Sequence, residues 1–170
     1  MEDLLRLLDT SGPRLFRLLK RLTLRDDVAE VLMQELFLTL NRSAAFRRAK
    51  DPAGYAYRTA MHLAFAWRQE QKRRPEPEPL QGEPESLGSP PLTRMVHLEE
   101  FELVLSLLGS LPKLGRDIVV MRYIQGDDYE QIARRVGKTT HQTRALCHKA
   151  IGRLRELIGD RLQSSDRERE

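Results

Sequence analysis

The sequence predicts an all-α fold: two small helical domains joined by a flexible linker, the second a four-helix domain ending in a helix-turn-helix. Three observations carry this expectation. The chain is rich in Leu, Arg and Glu, poor in aromatic residues, and has few β-branched runs. Apolar residues recur at the three-and-four spacing of one-sided helices along most of its length. The exception is residues 75–91, PEPEPLQGEPESLGSPP, which has no apolar period and the composition of an extended linker that joins neither core. The expected division is 1–74 for the first domain, 75–94 for the acidic Pro-rich linker, 95–160 for the second domain and 161–170 for a polar, frayed tail.

Within the first domain, residues 2–9 read as a short amphipathic helix, and Pro13 suits the first turn of a separate one. Leu15, Phe16, Leu18, Leu19 and Leu22 then form an apolar stripe among Arg17, Lys20 and Arg21. Asp26 and Asp27 are placed to cap a third helix, DVAEVLMQELFLTLNR. Its apolar arc is wide enough to bury one side and leave some apolar surface over; periodicity favours core for the surplus, with a docking surface as the alternative. Residues 43–52 form a basic loop. The long helix after it has no acid between Asp51 and Glu70, and interleaves Tyr55, Tyr57, Phe65 and Trp67 with Arg58, His62 and Arg68. Rings beside cations suit single-stranded nucleic acid, on which bases stack while the cations follow phosphates. Core packing is the competing reading. Phe65 looks like core, and Tyr57 and Trp67 look exposable.

The second domain opens with a helix reaching Leu108, apolar on most sides and so expected to be buried, and Gly109 stops it. Pro112 opens the next helix, which ends at Gly126. Asp127 and Asp128 then cap a short helix, with Gln131 at the capping-box position relative to Asp128. Gly137 ends that helix where positive φ is required. A last helix opens near Thr139 or Thr140. One face carries Thr143, Leu146, Cys147, Ala150, Ile151, Leu154, Leu157 and Ile158; the other carries His141, Gln142, Arg144, His148, Lys149 and Arg153. No acid occurs in residues 131–155, and a basic helix held across a turn by a shorter one is what a DNA major groove accepts.

The formal charge of +4 hides a division by segment. Residues 1–74 hold 15 Lys/Arg against 9 Asp/Glu, residues 75–100 hold 1 against 6, and residues 101–170 hold 13 against 10. Two basic blocks flanking an acidic connector suggest two surfaces for a polyanion. The single cysteine, Cys147, excludes an internal disulfide and a multi-Cys zinc site, and its place on the apolar stripe makes it a small hydrophobe. The four histidines show no metal-ligand spacing, and no nucleophile–base pair or phosphate loop is present, so neither an enzyme nor a cofactor is expected. The leucine-rich N-terminus is interrupted by Asp3, Arg6 and Asp9, and no apolar run is long enough for membrane insertion; the expected location is cytoplasmic.

Taken together, residues 10–160 resemble the sigma factors of the sigma-70 family, of the short extracytoplasmic-function (ECF) type. The segment AEVLMQELFLTL (29–40) is similar to the family's polymerase-gripping helix, and YAYRTAMHLAFAW (55–67) to its promoter-melting helix. Residues 108–157 are similar to the segment that ends in the upstream-element reader. The resemblance implies a promoter-specificity factor with core RNA polymerase, promoter DNA (duplex and single-stranded) and an anti-sigma factor as partners. It implies polymerase contact by Leu32, Gln34, Glu35 and Phe37. For the minus-ten element it implies Phe46, Arg47, Arg48, Tyr57, Arg58, His62 and Trp67. For the minus-thirty-five element it implies His141, Gln142, Arg144, Ala145, His148 and Lys149, with Arg134 and Lys138 on phosphates. The linker's charge would then serve in the polymerase cleft rather than for solubility alone. The chain departs from the family pattern at Val31 (acidic in most members), His62 (Asn), Ala66 (Asp) and Thr143 (apolar). A polymerase-independent helix-turn-helix regulator is the alternative function.

Overall fold

The computed structural model describes residues 2–74 and 92–167; the linker expected at 75–91 lies outside them. Among the described residues all regular structure is helical.

Four helices build the first domain: α1 (Glu2–Thr23), α2 (Asp26–Arg42), the short α3 (Ala44–Arg47) and α4 (Pro52–Arg73). The three long ones pack on one another around Leu15, Leu19, Leu22, Leu36, Leu40 and Met61, all fully buried. Pro13 does not start a new helix as expected; it sits exposed inside a continuous α1. Leu4 and Leu7 before it and Leu15, Leu18, Leu19 and Leu22 after it form a single buried stripe. Burial of that stripe, at roughly 1.5–3 kcal/mol per leucine, outweighs the one backbone hydrogen bond that proline removes. A second correction concerns the start of α2. Its N-cap is Arg25, with no side-chain cap bond, while Asp26 and Asp27 occupy the first turn and meet the helix's positive end there. The turn between α1 and α2 needs Leu24 at φ 59°, a left-handed conformation that costs a residue with a Cβ about 1–2 kcal/mol.

The second domain comprises α5 (Leu92–Leu108), α6 (Lys113–Val119), a π-helical turn (Val120–Gln125), α7 (Tyr129–Val136) and α8 (Thr140–Arg167). Helix α8 is its spine, against which α5, α6 and α7 all pack. Gly115 permits a close approach of α6 to α8, since a Cβ there would stand 3.2 Å from that of Ala150. Helix α5 is less buried than its composition suggests: Leu105 and Leu108 are enclosed, Phe101, Leu103, Val104 and Leu107 only partly. Helix α8 also runs on to Arg167, so residues 161–167 continue the helix instead of fraying.

Thr143, out of place on an apolar stripe, is completely buried. Its hydroxyl donates to the Thr139 carbonyl at 2.9 Å, so no polar atom is left stranded. The turn between α7 and α8 follows its sequence closely. Asp128 Oδ1 accepts from Gln131 N at 2.7 Å, Gln131 Oε1 accepts from Asp128 N at 3.0 Å, and Gly137 adopts φ 68°.

Asp128→Ala and Gly137→Ala are each expected to destabilise the protein by about 1 kcal/mol, from the lost cap and from Cβ strain at positive φ. Urea denaturation measures both, and an unchanged midpoint for either variant would contradict its assigned role.

Candidate polymerase and nucleic-acid interfaces

The basic face of the helix-turn-helix is open. Arg134, Lys138, His141, Gln142, Arg144, Ala145, His148 and Lys149 are all exposed, while Ile132, Ala133, Thr143, Cys147, Ala150 and Leu154 behind them are buried. A second reciprocal cap opens α8: Gln142 N donates to Thr139 Oγ1 and Thr139 N to Gln142 Oε1, each at 3.1 Å. The Gln142 carbonyl oxygen is thereby engaged and its amide N–H₂ remains for a partner. The Arg144 guanidinium lies 5.4 Å from the centroid of the Tyr129 ring, and Arg122 lies 4.9 Å from the same ring. Tyr129 therefore orients an exposed arginine at the head of the helix. Hydrogen bonding with the Cys147 thiol, together with burial, holds the Tyr129 phenol above its ordinary range. Sequence reasoning missed Tyr129, although its position at the first residue of α7, beside the cap, is legible.

On α2 the candidates divide. Gln34 and Glu35 are exposed and Phe37 is half-buried, but Leu32 is only 4% exposed and belongs to the core with Ala29, Leu36 and Leu40. Leu32 offers almost no accessible surface, whereas its neighbour Val31 is 61% exposed and Leu38 is 48% exposed. Both lie seven residues apart on the outer face, a spacing visible in the sequence.

The connection from α2 to α4 encloses an open cavity of about 860 Å³, lined by Phe46, Arg47, Lys50 and Asp51 on one side and by Leu4, Leu7 and Leu40 on another. Ser43 caps α3 through Phe46 N at 3.0 Å, and Asp51 caps α4 through Gly54 N at 2.8 Å. Arg47 and Arg48 are exposed. Phe46 is buried, tilted against Tyr55 at 5.9 Å between ring centroids, so it shapes the cavity wall rather than standing free.

Helix α4 is where expectation and structure part most clearly. Tyr57, read as exposable, is 4% exposed; Arg58, His62 and Trp67 are half-buried, and Phe65 is core as expected. The covering surface is the second domain. Arg135 of α7 lies over the Tyr57 ring, 5.2 Å from its centroid, and ion-pairs with the buried Asp127. Arg116 of α6 lies over Phe65 at 4.3 Å and is bound to the buried Asp117 through Nε at 3.0 Å and Nη2 at 2.9 Å. Tyr57 and Phe65 are eight residues apart, about 12 Å along the helix. The second domain thus rests on α4 at two rings, each under an arginine–aspartate pair. His62, between them, directs Nε2 to Asp117 Oδ2 at 3.5 Å. Arg68, 7% exposed, donates to the Leu22 carbonyl at 3.1 Å and pairs with Glu102 of α5, and Lys72 donates to the Ser106 carbonyl at 3.1 Å.

With this geometry described, similarity to known proteins can be placed on it. Residues 7–74 match the family model for sigma-70 region 2, and residues 107–156 match that for sigma-70 region 4. The chain belongs to the sigma-70 family. No curated protein sequence matches it. Among solved structures it is similar to the sigma factor RpoE of Bartonella quintana, crystallised in complex with the anti-sigma factor NepR. The match has 18% identity and a TM-score of 0.51, and covers 94% of this chain and 98% of that one. At this identity the likeness shows a shared fold.

The chain is a sigma factor of the sigma-70 family that directs transcription initiation, its region 2 and region 4 units being those that bind core RNA polymerase and promoter DNA. The seam described above lies between the two units. Asp117→Ala would leave the Arg116 guanidinium without its buried carboxylate, at an expected cost of about 3–5 kcal/mol. Chemical denaturation monitored at Trp67 tests this; a loss below 1 kcal/mol would place the Arg116–Asp117 pair outside the energetics of the seam.

Proposed function

We propose how the work is divided over this surface. Residues 1–74 grip the polymerase and capture the minus-ten strand, 75–94 link, and 95–160 read the minus-thirty-five element. The observation that carries the reading is the basic face of α7 and α8: all eight residues expected to meet DNA are exposed, on helix ends held rigid by two reciprocal caps. Arg144, steadied by Tyr129, reads base edges together with Gln142, Ala145, His141 and His148, while Arg134, Lys138 and Lys149 hold phosphates. On α2, Gln34, Glu35 and Phe37 contact the polymerase, joined by Val31 and Leu38, whose exposed apolar surface suits a large partner. An apolar side chain where most members carry an acid makes this contact more hydrophobic than theirs.

Arg47 lines the cavity walled by Phe46, which is roomy enough for an unpaired base, and Arg48 next to it in the chain is exposed. Trp67, His62, Arg58 and Tyr57 of α4 supply the remaining strand contacts. Tyr57 is covered by Arg135 while the domains are closed, so strand capture requires them to part. The protein does no covalent chemistry; binding energy from duplex contacts and captured bases offsets promoter opening. It acts in the cytoplasm, and an anti-sigma factor restrains it, as the complex of the similar sigma factor suggests.

Arg144→Ala is expected to weaken promoter binding by the polymerase complex by about 1–3 kcal/mol and to relax preference at one base position. Binding measured against a randomised promoter pool tests this; a uniform loss over all sequences would move Arg144 to the phosphate group of contacts. Trp67→Ala is expected to lose about 1–3 kcal/mol of strand binding and to reduce permanganate reactivity of minus-ten thymines at unchanged polymerase affinity. Wild-type reactivity would remove Trp67 from the melting surface. Specific promoter binding by the free protein with no affinity for core polymerase would overturn the assignment as a whole.

A further inference from the structure

A second basic site lies where α1 meets the π-helical turn, bordered by Tyr57 alone among the residues proposed to meet DNA. Arg14, Arg17 and Arg21 follow one another at three- and four-residue spacing, on one face of α1. With Tyr57 from the same domain and Ile124 and Gln125 from the other, they line a pocket of about 210 Å³. That is room enough for a small polyatomic ligand. Arg21 is tied across the seam, its Nη1 donating to the Ile124 carbonyl at 2.5 Å. Arg14 and Arg17 have no carboxylate partner among the described residues. Three guanidinium groups so disposed repel one another unless an anion joins them.

One further group narrows the anion. Gln125 Oε1 is buried and accepts no hydrogen bond from any described residue. A ligand that displaces solvent from this acceptor without replacing its hydrogen bond forfeits about 1–3 kcal/mol, so a ligand that fits must bring an O–H or N–H. Carboxylates bring none at neutral pH, and neither do sulfate or the phosphodiesters of DNA. A hydrogen phosphate ion brings one on the same group that the arginines bind. Burial holds the Tyr57 phenol above its ordinary range, so this wall of the pocket also stays a neutral O–H donor at neutral pH.

We propose that the Arg14–Arg17–Arg21 pocket is an anion site for a phosphate group that carries a hydroxyl donor: inorganic phosphate, or a phosphate monoester with a neighbouring hydroxyl. Because the arginines come from one domain and Gln125 from the other, the site is whole only while the domains are closed. Occupancy therefore favours the closed form by mass action and disfavours exposure of Tyr57.

The test is calorimetric titration of the full chain, without DNA or polymerase, at pH 7 and constant ionic strength. The probes are inorganic phosphate, glycerol 3-phosphate, sulfate and chloride. Saturable binding of phosphate or of glycerol 3-phosphate is expected, whichever is tighter naming the source, with sulfate weaker by about tenfold. The Arg14→Ala/Arg17→Ala double variant, altered only at exposed positions, should bind at least about tenfold more weakly while keeping its phosphate-free melting temperature. Gln125→Leu should erase the discrimination between phosphate and sulfate. Phosphate and glycerol 3-phosphate both binding no better than chloride would overturn the proposal, as would undiminished binding by the double variant. Neither result bears on the promoter reading, which involves none of these arginines.

Discussion

The structure depends on two buried guanidinium–carboxylate pairs laid on the rings of one helix. Arg116 with Asp117 covers Phe65, and Arg135 with Asp127 covers Tyr57. Each arginine has three reasons to stay: its charge is met, its planar face is stacked, and its alternative is a desolvated cation. The pairs are internal to the second domain, while the rings belong to the first. The seam is accordingly cheap to align and costly to build wrongly, since a domain arriving out of register by one helical turn would set a guanidinium against an aliphatic side chain. The buried apolar residues of the two domains also form one continuous cluster, which includes Phe65 of the first and Leu105, Leu108 and Ile118 of the second.

That arrangement explains a tension in α4. A helix proposed to stack on bases carries aromatic side chains, and aromatic side chains in water seek cover. In this chain the cover is a second domain instead of the helix's own core. Tyr57 lies under its Arg135, and His62 faces its Asp117. The helix-turn-helix face has no such tension, because its working residues are charged or polar and remain solvated. The structure thus leaves the proposed duplex-reading face exposed and covers part of the proposed strand-binding face of α4.

Much of this was legible in residue order. The cap at Asp128 with Gln131, the positive φ at Gly137 and Gly126, the buried stripe of α8 and the exposed basic face opposite it all follow from local rules acting on neighbours in sequence. The departures have tertiary causes. Pro13 reads as a helix start, but a stripe running from Leu4 to Leu22 is buried as a unit and carries the helix through. Leu32 falls on the gripping segment, but it faces inward with Leu36 and Leu40, leaving Val31 and Leu38 outside. A period shows that a helix has two faces; it does not say which one a neighbour will cover when both carry leucine.

The sequence by itself determined most of the helices, many of their ends, the two-domain division and the family, because each rests on hydrogen bonds and apolar spacing within a few turns of chain. Only the tertiary structure decided that Tyr57 lies under Arg135, that Phe65 lies under Arg116, and that three arginines of α1 share a pocket with Gln125. Those contacts join residues from about 50 to more than 100 positions apart, and no local pattern encodes them. They follow from how two finished surfaces meet, where the fit of ring to guanidinium and the need to pair every buried charge select one arrangement.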